Sequence, residues 1–334
     1  MSPNLTPKVS VIVPVYNTEL YVERAIISLM EQTLDDVQFI IIDDGSKDNS
    51  LNIIKQVITR YPARQGQVTL ISRENRGVAA TRAQGMELAT GDYVIHLDSD
   101  DWAEFNWLEA LYTKAIEDNA DVVVCDYSMI FKESVKLVRQ ETKSSGVECI
   151  GQLLAGKLHG STCNKLIRGS IVVKNAVKFN SETNYLEDYI FILKVFYYAK
   201  RVSRVDLSLL NYNKVNCNSI TYEIDEFKAK NIRIAIEDIK YFLMDNGVYK
   251  DFERYFLRLC LTHKSEMICR LNSKSAKVYY DLYPVDNQTL VSVPIHFFYK
   301  TLLFFLNTKA FLFVNSFVFA FRFLKKIKTL INNM

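Results

Sequence analysis

What this sequence lacks narrows it before any motif is read. Its six cysteines (Cys125, Cys149, Cys163, Cys217, Cys260 and Cys269) are scattered, with no CxxC and no Cys/His cluster. That spacing argues against a zinc site and predicts reduced thiols in a cytosolic setting. No signal peptide is expected, because Met1 to Lys8 is polar and the apolar run Val9–Val15 is too short for an h-region with flanks. The first apolar run is not followed by GxGxxG, and no Walker lysine loop occurs, so dinucleotide-binding and P-loop readings lose their main support. No Asp or Glu lies between Pro294 and Met334. The longest uncharged run in that segment, Ala310 to Phe321, falls short of the roughly 20 residues a spanning helix needs.

What is present suits a core-forming chain. Its 334 residues are 49% hydrophobic and 24% charged, enough for one large domain with additions or two modest domains. β-Branched runs recur at Val9–Val13, Phe39–Ile42, Val68–Ile71, Tyr93–Leu97 and Val122–Cys125. Between them, apolar residues at helical spacing (Val22, Ala25, Ile26, Leu29; Leu51, Ile54, Ile58; Ala79, Ala83, Met86) predict one helix per gap. This βαβ alternation, with strands apolar on both faces, predicts an α/β chain with a doubly wound, mostly parallel sheet, Rossmann-like in its winding.

Right-handed crossovers would place the strand ends along one edge, where open α/β sheets bind ligands. The acidic residues sit there. Asp43 and Asp44 end the second run, and Asp98, Ser99, Asp100 and Asp101 end the fourth, GDYVIHLDSDDW. Three carboxylates delivered by a buried strand need a cation, and a hard divalent ion held against substrate phosphates is the economical choice. The competing explanation is an Asp-rich turn capped by its own side chains. His96, inside the strand, reads as a packed residue.

These stretches carry a resemblance. VSVIVPVYNTELYVERAIISLMEQT, IIIDDGSKDNS, ENRGVAATRAQGMELATGDYVIHLDSDD and LEDYIF resemble glycosyltransferase family 2, of the bacterial surface-polysaccharide type, across roughly Lys8 to Thr221. The resemblance implies a GT-A fold and an inverting transfer from a nucleotide-sugar, with UDP as the expected nucleotide. It implies Mn2+ or Mg2+ on Asp100 and Asp98, with Asp98 and Ser99 also beside the donor. Pro14, Val15, Tyr16, Asp43 and Asp44 would line the base, Arg82 would face the nucleotide, and Arg76 would meet the diphosphate. Asp188 becomes the catalytic base, and Glu187 orients its loop or meets the acceptor. Ser161 to Leu166 resembles a family segment in which Trp commonly stands where Cys163 is, and its Lys165 could meet a phosphate. Asn211 to Lys214 and Asn218 to Thr221 resemble a segment that closes over the diphosphate, with Lys214 in place of the usual arginine.

Beyond Thr221 the pattern becomes helical, with a break at Gly247. A catalytic domain over 1–221, a helical appendix over 222–293 and a basic tail over 294–334 follow. The tail holds ten of the chain's 20 phenylalanines and six basic residues, so the remainder is mildly acidic although the total charge is +3. On a helix, Thr308, Asn315, Arg322, Lys326 and Thr329 would form one polar stripe, with phenylalanines around it. That pattern predicts a helix lying in the membrane interface, and hence peripheral attachment to the inner face of the cell membrane, with a glycan or lipid-linked glycan as acceptor and no nucleic acid partner. A nucleotidyltransferase would need a Gly- and Lys-rich first loop, which PVYNTE is not. A scaffold or sugar-binding subunit with a relic site would have no need of Asp98, Asp100 and Asp188 together.

Overall fold

The computed structural model describes residues 6–181, 183–216, 224–271 and 273–333, with side chains as far as Phe323. The chain divides into two compact units, residues 1–150 with 158–216, and residues 151–157 with 217–334.

The first unit is built on nine strands: β1 (Val9–Val15), β2 (Val37–Asp43), β3 (Val68–Ser72), β4 (Tyr93–His96), β5 (Trp102–Ala103), β6 (Val122–Ile130), β7 (Val135–Val138), β8 (Lys165–Arg168) and β9 (Val202–Asn213). They follow the order β3-β2-β1-β4-β8-β6-β9-β5, with β7 paired on β6. β1 to β4 are parallel, as their apolar runs predict, and β6 and β9 are parallel to each other. β8 departs from the simple alternation. It lies between β4 and β6 and is antiparallel to both, pairing Val94 with Ile167 and Val123 with Leu166. Helices α1 (Val22–Met30), α2 (Ser50–Arg60), α3 (Val78–Leu88), α4 (Trp107–Glu117), α5 (Gly146–Leu154), α6 (Gly169–Lys174) and α7 (Glu187–Tyr198) complete the connections.

β1 runs on past the β-branched residues Val9–Val13 and through Pro14, which pairs with Ile42 inside the strand. Alternate residues of a parallel strand bond to opposite neighbours. Val15 accepts from Asp44 N at 2.8 Å on the β2 side, and Ile12 accepts from Leu97 N at 3.0 Å on the β4 side. The missing Pro14 donor therefore faces the side that β4 has already left, where a proline costs no ladder bond. The core includes Val11, Val13, Phe39, Ile41, Ile95, Trp107 and Val123, all fully buried.

The second unit is helical: α8 (Glu226–Asp245), α9 (Tyr249–Arg270), α10 (Ser273–Ala276), α11 (Asn287–Ser292), α12 (Phe297–Asn307) and α13 (Phe311–Asn333). Gly247 sits at φ 71° between α8 and α9, the left-handed turn at which the expected break falls. Leu261 and Ile268 of α9 pack with Leu302, Leu303 and Leu306 of α12 and Val314 of α13. The Phe298 and Phe317 rings lie 4.3 Å apart, and Phe305 stacks on Phe313 at 5.1 Å. Phe298, Phe305, Phe317 and Phe321 of the tail are thus packed against this core. Among the described residues, no helix is long and apolar enough to cross a membrane. Arg322 leaves the expected polar stripe. Its guanidinium turns inward to the Cys269 carbonyl at 2.9 Å and to the Leu271 carbonyl, where a cation meets the negative end of α9. The side chains of Lys326 and Thr329, and the segment Asn218 to Thr221, lie outside the described residues.

Candidate active site

The loop after β4 is the floor of the site. Asp101 N donates to the Asp98 carbonyl at 3.0 Å, closing a tight turn. Asp101 is buried and accepts from Asn213 N at 2.8 Å, which ties the turn to the end of β9. Ser99 is buried too and accepts from the Thr18 hydroxyl at 3.0 Å, which ties it to the segment before α1. Asp98 and Asp100 remain. One oxygen of Asp98 takes Arg82 Nη2 at 2.7 Å, and one oxygen of Asp100 takes Asn216 Nδ2 at 2.7 Å. Burial, and after it the nearby charge of Asp98, raise the Asp100 pKa.

Arg82 stands opposite. Its guanidinium is almost completely buried and divides its fork, Nη2 to Asp98 and Nη1 to Glu187. Glu187 opens α7, and Asp188 follows it, taking its own neighbour Tyr189 N at 2.7 Å. Burial pushes Glu187 up to about 7 against the pull of Arg82. Burial also raises Asp188, with Arg82 opposing and Asp98 adding to the rise. Asp98 and Glu187, which the sequence places in two separate motifs, thus share one guanidinium, and the charge of Asp188 also acts on it. Arg82, for which the resemblance implies a place facing the nucleotide, has both of its terminal nitrogens engaged by acids.

Asp43 and Asp44 are engaged by their own surroundings. Asp43 accepts from Ser46 N at 3.2 Å and from the Ser72 hydroxyl at 2.8 Å, the turn-capping role that an Asp-Asp-Gly-Ser sequence allows. Asp44 accepts from Arg76 N at 3.0 Å and Gly77 N at 2.8 Å, and pairs with Arg73 at 2.6 Å. Arg73 had no assigned role in the sequence reading; it also reaches Gln84 and Thr81, holding the entry to α3. Pro14 and Val15 are buried at the end of β1, while Tyr16 is half exposed and Arg76 lies exposed.

Lys165 is neither a surface lysine nor an open phosphate contact. It begins β8 inside the sheet, fully buried, and donates at 2.7 Å to the His159 carbonyl, the Ser161 carbonyl and Asn164 Oδ1. Its three donors are used up, and burial brings its pKa down to about 7 with Asp188 resisting. The sequence could not show this, because the burial comes from β8's unforeseen place between β4 and β6. Cys163, which stands where Trp is common in the segment it resembles, is a buried thiol. Rings gather elsewhere: Tyr127 lies 5.2 Å from His159 and 6.3 Å from Tyr212, and Lys214 Nζ stands 4.1 Å over the Tyr212 ring. His96 is fully buried edge-on to Phe179 at 5.5 Å, the packed role its position suggested, and burial drives its pKa well down.

No group of three His, Cys, Asp or Glu side chains among the described residues could by itself hold a metal ion. Asp98 and Asp100 nonetheless fit a hard cation, each having one oxygen engaged by a neighbour. A Mg2+-type site commonly uses one or two carboxylates and completes its shell with water and substrate phosphates.

Comparison with known proteins follows the same lines. The glycosyl transferase family 2 model matches residues 10–174. EpsH, a candidate glycosyltransferase of Bacillus subtilis (strain 168), is 30% identical over 274 residues, 80% of this chain and 77% of that protein. The chain belongs to glycosyltransferase family 2. Among solved structures, S. aureus TarS 1-349 in complex with UDP-GlcNAc matches 94% of this chain and 91% of its own, with a TM-score of 0.70 and 19% identity. A mannosyltransferase from Pyrobaculum calidifontis, in complex with GDP-Man and Mn2+, matches 96% of this chain and 87% of its own, with a TM-score of 0.55 and 14% identity. At those identities the structures support the fold: the mixed, mostly parallel sheet of this family 2 glycosyltransferase has the GT-A arrangement, followed by a helical C-terminal region.

Proposed function

We propose that this glycosyltransferase is an inverting hexosyl- or N-acetylhexosaminyl-transferase that uses a UDP-sugar. Its acceptor would be a hydroxyl of a glycan or lipid-linked glycan in cell-surface polysaccharide synthesis, as in a capsule, exopolysaccharide or O-antigen. The observation that carries this reading is Arg82 joining Asp98, on the donor side, to Glu187, beside the base Asp188. The UDP-GlcNAc in the similar TarS structure supports the choice of nucleotide.

In this reading Asp188 takes the proton of the acceptor hydroxyl. The hydroxyl oxygen bonds to the anomeric carbon from the face opposite the diphosphate, the bond from that carbon to the phosphate oxygen breaks, and the nucleoside diphosphate leaves with the electron pair. A raised pKa makes Asp188 a stronger base near neutrality, while Arg82 and Lys165 favour its ionised form. Asp98 and Asp100 would hold Mn2+ or Mg2+, and the Mn2+ in the Pyrobaculum structure supports that choice. When bound, such an ion neutralises charge growing on the diphosphate. Pro14, Val15, Tyr16, Asp43, Asp44, Arg76, Ser99 and Lys214 would border the donor, while Lys165, its donors engaged within the chain, would not touch it.

The same reading divides the chain into a catalytic domain (1–221), a helical appendix (222–293) and a membrane-facing tail (294–334) at the cytoplasmic surface. Support for the last part comes from Phe297, Phe304, Phe311, Leu312, Phe319 and Phe323, which stay exposed in a segment free of acidic residues. The test of the whole is a panel of nucleotide-sugars, with and without Mn2+ or Mg2+. UDP release, or protection against thermal unfolding by one UDP-sugar, is expected. Neither effect with any nucleotide-sugar would overturn the proposal.

A further inference from the structure

We propose that Arg82 is a positioning residue, tying the donor side of the site to the base side by holding Asp98 with one terminal nitrogen and Glu187 with the other. The inference rests on the reading of Asp188 as base and assigns what aims it.

Three observations carry it. The first is the fork itself. Asp98 follows β4 and Glu187 opens α7, so one guanidinium on α3 joins three elements through residues up to 105 positions apart in the chain. A planar fork can hold two carboxylates at once in fixed directions, which a lysine ammonium on a flexible stem does not reproduce. The side chains of Arg82 and Glu187 are 5% and 7% exposed, so water does little to loosen the pair.

The second is a parallel tie. Asn184 Oδ1 accepts from Ala79 N at 3.3 Å, in the first turn of α3. Ala79 and Arg82 are three residues apart on one face of that helix, and Asn184 and Glu187 are three residues apart on the segment they hold. The approach to α7 is therefore fastened to α3 at two points. The third is the backbone between those points. Leu186 is held at φ 65° and ψ 16°, a left-handed conformation that a leucine rarely adopts. Such a residue persists where its surroundings over-determine it. The two ties do so, and Asp188 lies two residues further on.

A buried arginine kept for stability alone would be placed to use its donors fully. Arg82 Nε instead has no hydrogen-bond partner among the described residues. The geometry favours spanning two acids over saturating one.

The test uses the full chain and hydrolysis of UDP-glucose, UDP-galactose or UDP-GlcNAc, whichever wild type turns over fastest, together with calorimetric binding of UDP and Mn2+. Arg82→Lys keeps the charge and loses the fork. The double variant Arg82→Met with Glu187→Gln removes both members of the buried pair and leaves Asp98, whose side chain is 31% exposed, to water; circular dichroism and thermal unfolding check that each variant is folded. Both are expected to bind UDP within about threefold of wild type and to lose about 100-fold in kcat, the scale of a displaced reacting group. Folded variants with wild-type kcat would overturn the inference. So would a loss of turnover matched by an equal loss of UDP affinity, which would make Arg82 a donor ligand. Asp188→Asn, run alongside, separates the two failures. If it keeps wild-type turnover, the base assignment falls and the inference with it. If it is inactive while the Arg82 variants are not, the inference falls alone.

Discussion

Gly77→Ala is the most exacting perturbation the structure offers. Gly77 has φ 88° and ψ 161°, a backbone region open essentially to glycine alone, so any side chain there would cost about 1–3 kcal/mol. A Cβ would also lie 2.5 Å from Asn184 Oδ1 and 2.9 Å from Asn184 Cγ. Those atoms end a flexible side chain and can retreat, but in retreating they give up the bond to Ala79 N that serves as a cap for α3. Losing a cap costs about 1 kcal/mol. Together the loss should be about 2–4 kcal/mol. For a unit of this size that is a fall in melting temperature of about 5–15 °C. Thermal and urea unfolding measure it. The double variant Gly77→Ala with Asn184→Ala divides the effect, because the clash disappears in that background while the dihedral strain remains. A single variant within about 0.5 kcal/mol of wild type would refute the reasoning.

Four further outcomes are expected. Asp44→Ala takes from the partly buried Arg73 its carboxylate partner at 2.6 Å, and should destabilise the first unit by about 3 kcal/mol in urea unfolding. Burial lowers the Lys165 pKa to about 7, so the unfolded chain binds more protons than the folded one from there up to the normal lysine range. This group therefore adds stability as pH rises from about 7 towards 10, and Lys165→Met should flatten that slope in urea midpoints measured across the range. Glu187 is pushed up to about 7 and Asp188 is raised as well, so turnover should fall as pH drops below about 7, where protonation loosens Glu187 from Arg82; a rate that stays flat down to pH 5 would contradict this. Phe319→Ser with Phe323→Ser alters only exposed positions, unlike a deletion of the tail, which would remove the core residues Leu302 and Val314. It should reduce flotation with anionic lipid vesicles while hydrolysis of a soluble UDP-sugar stays unchanged.

The legible parts of this fold were the ones written in local pattern. β1 to β4 are β-branched runs with helices between them, and they pair in parallel as that alternation predicts. β8 was not legible, since four residues bearing a charge at each end carry little strand signal, and its partners in β4 and β6 supply the burial. That one strand is why the burial of Lys165 leaves no mark in the local sequence. In the site, the acidic residues were visible as motifs, but what they touch was not. The Arg82 to Glu187 contact spans 105 residues, and no local pattern reports it. Arg322 shows the same limit: helical periodicity placed it on a polar stripe, whereas the end of α9 offered its guanidinium two carbonyls.

The account turns on Asp188 as the base opposite Asp98 and Asp100. The direct measurement is kcat for nucleotide-sugar hydrolysis by wild type and Asp188→Asn, with UDP affinity measured on both. The account predicts unchanged UDP affinity and a loss of about 100-fold to 10,000-fold in kcat. Wild-type turnover by a folded Asp188→Asn protein would contradict it.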